Sequence, residues 1–216
     1  MEDVLDRQLT AKGEATRSRI IKAAAEVLRE KGVVLTTLDD VMARSRTSKS
    51  QLFHYFPEGK DELLQATAQF EADQVIADQQ PYLGGLDSWE AWQQWRDVVI
   101  KRYAEQGDQC PLGQLTLHLG RTTPGTRALV AQLMDSWQEY LAVGMRSLQA
   151  AGRLPSDLDV EERSASLLAA IQGGVAILQA TGRIYHLRAA LDMGIADLRR
   201  AGAMHDEAAA SAAGRA

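Results

Sequence analysis

Cysteine is nearly absent from this chain of 216 residues. The lone Cys110 excludes an intramolecular disulfide and points to a reducing compartment, so a cytoplasmic location is expected. Catalytic signatures are missing too. There is no glycine-rich phosphate cradle, no Gly-x-Ser-x-Gly and no His-Glu-x-x-His. None of His54, His118, His186 and His205 follows a glutamate by three residues, which removes the pairing used by di-iron helical bundles. One cysteine and scattered histidines supply no zinc set. An enzyme, a metal site and a cofactor are therefore not expected. The N-terminus carries no signal-peptide pattern. Long apolar runs are scarce: Ser164 to Gly182 lacks charge, but it holds Ser164, Ser166, Gln172, Gln179, Thr181 and two adjacent glycines. It reads as a buried interface helix, and no membrane contact is expected.

What is present is ordinary for a soluble globular chain, with 45% hydrophobic and 25% charged residues. The net charge of −5 looks wrong for a nucleic-acid partner until the chain is divided. Residues 1–60 carry a net +2 and residues 61–216 a net −7. That asymmetry favours a DNA-facing first part and an acidic remainder.

The densest signal is Thr37 to Phe56, TLDDVMARSRTSKSQLFHYF. It predicts two short helices and a tight turn. The first runs from about Leu38 to Ser45, with Leu38, Val41 and Met42 on one face. Thr37 is its N-cap, and Asp39 and Asp40 suit the positive end of its dipole. The second begins at Ser48, where Ser48-x-x-Gln51 fits a capping box. Leu52, Phe53 and Phe56 share one side. Thr47, Ser50, Gln51 and His54 share another, which is polar and rich in hydrogen-bonding groups. Flanked by Arg44, Arg46 and Lys49, such a helix suits the DNA major groove. An ordinary helical hairpin with a solvated face is the plainer alternative.

The run Thr47 to Phe56 followed by Lys60-Asp61-Glu62-Leu63 resembles the DNA-binding signature of the TetR family of transcriptional regulators. The segment from Arg19-Ile20-Ile21 to Gly32 is similar to that family's first helix. Dense resemblance covers about residues 16–66, and the remainder matches in length and helical character. The resemblance implies an all-α homodimer. A helix-turn-helix domain over 1–60 would bind a palindromic double-stranded operator, and a helical domain over 61–202 would bind a small effector and dimerise. Residues 203–216, Ala-rich and without larger apolar residues apart from Met204, are expected to form a disordered tail. On this reading Arg46, Thr47, Lys49, Ser50 and Gln51 reach base edges or the adjacent backbone, with Gln51 on adenine. Thr37, Ser48, His54, Tyr55 and Lys60 would sit on phosphates. Two departures stand out. Arg46 occupies a turn position often held by glycine, so it is strained or the turn differs. Phe53 stands where a tyrosine is common, and with no hydroxyl it is assigned to the core.

Elsewhere the pattern predicts helices over about 16–31, 60–79, 87–106, 111–120, 124–151, 160–181 and 185–201. Residues 1–15 read as an arm or a helical lead-in. Trp89, Trp92, Trp95, Val99 and Tyr103 form an aromatic stripe, either core or the wall of a pocket. The effector pocket is expected at Trp92, Trp95, Tyr103, Cys110, Leu112, Leu115, His118, Met134, Trp137 and Gln172. Cys110-Pro111-Leu112-Gly113 resembles a turn of one TetR subgroup, some members of which sense electrophiles through that cysteine. A small buried residue is the alternative. Ala165, Ala169, Gly173, Gly174, Ala176 and Ala180 let helix backbones approach closely. By resemblance, the helices over 160–181 and 185–201 build the four-helix dimer interface. A helical ligand-binding protein or enzyme without DNA is the rival class.

Overall fold

A computed structural model describes residues 10–107 and 124–213 of the chain. No strand occurs among them, and the fold is all-α. The helices are α1 (Ala11–Leu35), α2 (Leu38–Ser45), α3 (Lys49–Tyr55), α4 (Lys60–Ala77), α5 (Trp89–Gln106), α6 (Pro124–Ala150), α7 (Val160–Thr181) and α8 (Tyr185–Ala213). A short 3-10 turn, Leu83–Gly85, stands between α4 and α5.

Capping chemistry fixes most of these boundaries. Thr10 accepts from the Gly13 N–H at 3.2 Å, so α1 starts five residues before the expected Thr16 and the lead-in is helical from Ala11. Gly32 was expected to end that helix. It does break the helical dihedrals, with φ 73° and ψ 167°, but another turn follows to Leu35. The Thr36 amide and hydroxyl then both donate to the Gly32 carbonyl, at 3.2 and 2.7 Å. Ser88 caps α5 by accepting from Ala91, and Gly182 closes α7 in the left-handed conformation.

The expected disordered tail is a correction. α8 does not stop near Ala201 but continues to Ala213. Apolar content was the wrong guide: alanine is the strongest helix former, and a helix already nucleated by packing extends through it at little cost. The expected 111–120 helix, with Cys110, Leu112, Leu115 and His118, lies outside the described residues.

Two cores follow. Ile20, Ile21 and Ala24 of α1 meet Val41, Leu52, Phe56 and Leu63 in the N-terminal core. A larger one joins α5, α6, α7 and α8 around Trp92, Trp95, Trp137, Leu141, Ile171 and Leu191. Between them Leu28 and Val33 of α1 pack on Leu64 and Ala68 of α4 and on Leu129 of α6. Thus the start of α6 touches the N-terminal domain directly. α7 is long and apolar enough to cross a membrane by composition. Yet Leu167, Leu168, Ile171, Val175 and Leu178 are buried in this core, as for a core helix.

Candidate nucleic-acid interface

The α2–turn–α3 unit is held from both sides. Thr37 accepts from the Asp40 N–H at 3.2 Å, and the Asp40 carboxylate returns the bond to the Thr37 N–H at 3.2 Å. Asp40 also pairs with Lys31 of α1 at 2.6 Å. That pairing, with the two Thr37 bonds, holds its carboxyl down at about 2. Thr37 therefore spends its hydroxyl inside the fold. The Thr37-x-x-Asp40 spacing carries this second box in plain sight.

Arg46 sits at φ 52° and ψ 47°, the left-handed region. Of the two outcomes left open for it, the strained one holds: the turn keeps the glycine-type conformation and Arg46 adopts it. The Cβ clash is offset by the Thr47 N–H, which donates to the Met42 carbonyl at 3.1 Å. The turn then delivers Ser48, whose hydroxyl accepts from Gln51 N–H while Gln51 Oε1 accepts from Ser48 N–H, both at 3.2 Å. α3 is anchored underneath by Leu52 and Phe56, both fully buried. Its outer face exposes Lys49, Ser50, Gln51 and His54, with Ser48 and Arg46 beside them.

Four sequence expectations change here. Thr47 is not on the reading face: it is 8% exposed, and its hydroxyl lies 2.6 Å from that of Ser45. The turn residue after a left-handed position points back under the hairpin, which a helical projection from Thr47 does not capture. Phe53 is not core; it is 37% exposed and lies along the chain near Gly59. Leu52 and Phe56 already fill the space beneath α3. Lys60 turns back to donate to the Val33 carbonyl at 3.4 Å, serving the end of α1. Arg44, one of the three flanking cations, is clasped by Glu30 at 2.6 Å and Glu26 at 3.1 Å, which raises its guanidinium further above its ordinary range. Arg46 and Lys49 carry no ion pair among the described residues. Tyr55 is half-buried against the N-terminal core and His54 packs edge-on to it at 4.9 Å.

An exposed, uncharged hydrogen-bonding face with two free cations, raised on a buried aromatic anchor, is the geometry of a major-groove reader. The comparisons with known proteins agree. Residues 20–67 match the family model described as bacterial regulatory proteins, tetR family, and residues 88–193 match the tetracyclin repressor-like C-terminal domain.

The chain belongs to the TetR family.

It is a DNA-binding transcriptional regulator and not an enzyme. The HTH-type transcriptional regulator SrpR of Pseudomonas putida is 29% identical over 160 residues, covering 72% of this chain and 71% of that protein. Transcriptional regulator AcuR of Cereibacter sphaeroides is 27% identical over 147 residues, 65% of each chain. Among solved structures, regulatory protein TetR from Rhodobacter sphaeroides shares the fold at a TM-score of 0.71 and 20% identity, over 83% of this chain and 97% of that one. SmeT, titled the repressor of the Stenotrophomonas maltophilia multidrug efflux pump SmeDEF, does so at 0.63 and 21%, over 86% and 91%.

In the C-terminal domain of this TetR-family chain the aromatic stripe is core. Trp92 and Trp95 are fully buried, and their indoles donate to the Leu86 carbonyl at 3.1 Å and to Gln79 Oε1 at 2.8 Å. Of the two readings of the stripe, core or pocket wall, these partners favour the core. Tyr103 and Trp137 are also buried, Met134 packs against the same core, and Gln172 is half-buried on α7. Two clefts flank α6. One of about 550 Å³ opens towards α4, near Ala72, Ile76, Leu129 and Leu133. The other, about 730 Å³, opens towards the 3-10 turn and shares Gly84, Ser136 and Tyr140 with the first. Of the expected pocket residues, the described ones, Trp92, Trp95, Tyr103, Met134, Trp137 and Gln172, do not line either cleft.

Proposed function

We propose that this regulator is a homodimeric repressor that leaves a palindromic operator when a small effector enters its C-terminal domain. The carrying observation is the free polar face of α3. Ser50, Gln51 and His54 meet base edges, while Arg46, Ser48 and Lys49 meet bases or the flanking phosphates. Thr37 and Tyr55 border the same surface and steady the helix from behind. Lys60 keeps a phosphate role only by leaving Val33. The cell compartment that suits a DNA-bound regulator is the cytoplasm.

Dimerisation has its own support. α7 exposes Ala165, Ala169, Gly173, Ala176 and Ala180, and Ile177 beside them is 38% exposed. α8 exposes Tyr185, Met193 and Met204. Gly174 is different: a Cβ there would lie 2.5 Å from the Leu187 Cα, so it serves the crossing of α7 and α8 within one chain. A two-fold pairing of the exposed faces would set two α3 helices about 34 Å apart, one DNA turn. The likeness to SmeT favours repression over activation. An effector that prefers the released conformer by a hundredfold supplies about 2.7 kcal/mol of coupling.

The test is a salt-titrated gel shift on the DNA upstream of the protein's own gene. Binding should weaken steeply with salt. Gln51→Ala should relax sequence preference, and Lys49→Ala should weaken all sequences alike. A stable monomer, or binding insensitive to both variants, refutes the assignment.

A further inference from the structure

The two clefts beside α6 join into one groove, because Gly84, Ser136 and Tyr140 line both. α6 contributes Leu129, Leu133, Ser136, Tyr140, Val143 and Ser147 to its lining. These stand four and three residues apart in alternation, the spacing at which one helix presents a continuous seam to another. Residues 129–147 span about 27 Å of helix. Leu129 and Leu133 are buried at one end, Val143 towards the other is 47% exposed, and Ser136 between them is exposed. α4 borders the groove near Leu129, through Asp73 and Ile76, and residues 83–87 border it near Val143. No lysine, arginine or histidine lines it, whereas Asp73, Asp87, Asp135 and Glu139 do. Glu139 shares Arg146 with Glu161. Asp73, Asp87 and Asp135 enter no ion pair among the described residues.

We propose that this groove docks an amphipathic helix of another protein, apolar along one stripe and rich in lysine or arginine along its flanks. The seam spacing along α6 sets a helical occupant, laid lengthwise with its apolar stripe towards Leu133, Tyr140 and Val143. The uncompensated carboxylates set its sign, since basic flanks complement them and an acidic partner is repelled. Small ligands are held where most of their surface is buried, whereas a groove open over about 27 Å suits a long partner. A second copy of this chain would bring its own acidic part, net −7 over residues 61–216, against the same carboxylates. The docking is independent of effector release. It does reach the DNA side: Leu129 also packs with Leu28 and Val33 of α1, so a bound helix lies against the joint between the domains.

The probe is a fluorescein-labelled leucine–lysine amphipathic helix of about 18 residues, with a leucine–glutamate twin as its control. Anisotropy titration of the full chain should show saturable binding at roughly micromolar peptide, weaker at high salt, and no binding of the twin. Asp87→Lys combined with Asp135→Lys should weaken it about tenfold, and Val143→Ser a few-fold. All three positions are exposed, so the variants should melt like the parent. Glu105→Lys, at an exposed position of α5, should leave peptide binding unchanged. An equal loss in Glu105→Lys marks diffuse attraction to an acidic protein and overturns the proposal, as does binding of the twin. Tetraphenylphosphonium bound in the groove without any binding of the peptide assigns it to a small lipophilic cation. Self-association beyond a dimer that Val143→Ser abolishes assigns it to a second copy. Either result refutes the helical partner.

Discussion

Glu71 gives the sharpest test of how the two domains are joined. It lies on α4, is 2% exposed, and takes a 2.7 Å bond from Arg29 of α1. Burial pushes its carboxyl above the usual range; the positive charges of Arg29 and then Arg102 of α5 pull the other way. Arg102 also pairs with Asp78. One carboxylate thus faces a guanidinium from each domain. Arg29→Met keeps the aliphatic stem and removes the charge. Two charges near 4 Å attract by about 4 kcal/mol at an effective dielectric of 20. Arg29 is 36% exposed, so solvent screening reduces the loss to about 2 kcal/mol. For a chain of this size that is about 4–8 °C in Tm. The pH dependence fixes the mechanism. A raised folded pKa means the native state binds more protons than the unfolded chain, so the stability is fully present below the unfolded value and is lost as pH rises through the folded one. Arg29→Met raises the folded value further, so its deficit should widen as pH rises above the ordinary carboxyl value of 4.5. Glu71→Gln added to Arg29→Met should recover most of the loss at pH 8. A deficit that is flat with pH, or a double variant no better than Arg29→Met, refutes the reasoning.

Other tests are simpler. Arg46→Gly should raise the melting temperature, since relief of left-handed strain outweighs the added chain entropy by up to about 1 kcal/mol; operator affinity should fall with the lost cation. Gly174→Ala should cost about 2 kcal/mol or more, because its Cβ meets Leu187 backbone, whereas Gly173→Ala meets nothing within 4 Å and should leave monomer folding intact or improve it. Thermal melts of the two side by side decide this. Thr37→Ala should cost about 1 kcal/mol through the lost cap, read by urea titration. The Asp40 half of that box, with its carboxyl held at about 2, is present above pH 3.8 and fades as pH falls, so Asp40→Asn should flatten acid unfolding in that window.

The helix-turn-helix was legible because its signals are local. Caps at Thr37 and Ser48 set the starts of α2 and α3 within the sequence itself. What failed depends on neighbours distant in the chain. Phe53 reads as apolar, but the floor under α3 was already filled by Leu52 and Phe56. Lys60 reads as a free charge, yet the kink at Gly32 offers it the Val33 carbonyl. The tryptophan stripe fits pocket or core equally by periodicity, and only the partners of the Trp92 and Trp95 indoles separate the two. The end of α8 was misjudged because composition counts burial and not propagation.

The Gln51 cap has a consequence for how strongly one base can be read. Reading adenine needs both ends of the amide, and one end already rests on the Ser48 N–H. Swinging out forfeits about 1 kcal/mol of the 1–3 kcal/mol that a bidentate base contact discriminates. On the proposed reading, a phosphate oxygen would then replace the departed carbonyl at the Ser48 amide. Sequence selection and backbone grip would thereby be exchanged through a single peptide group, so that the right base would also tighten the hold on the strand beside it.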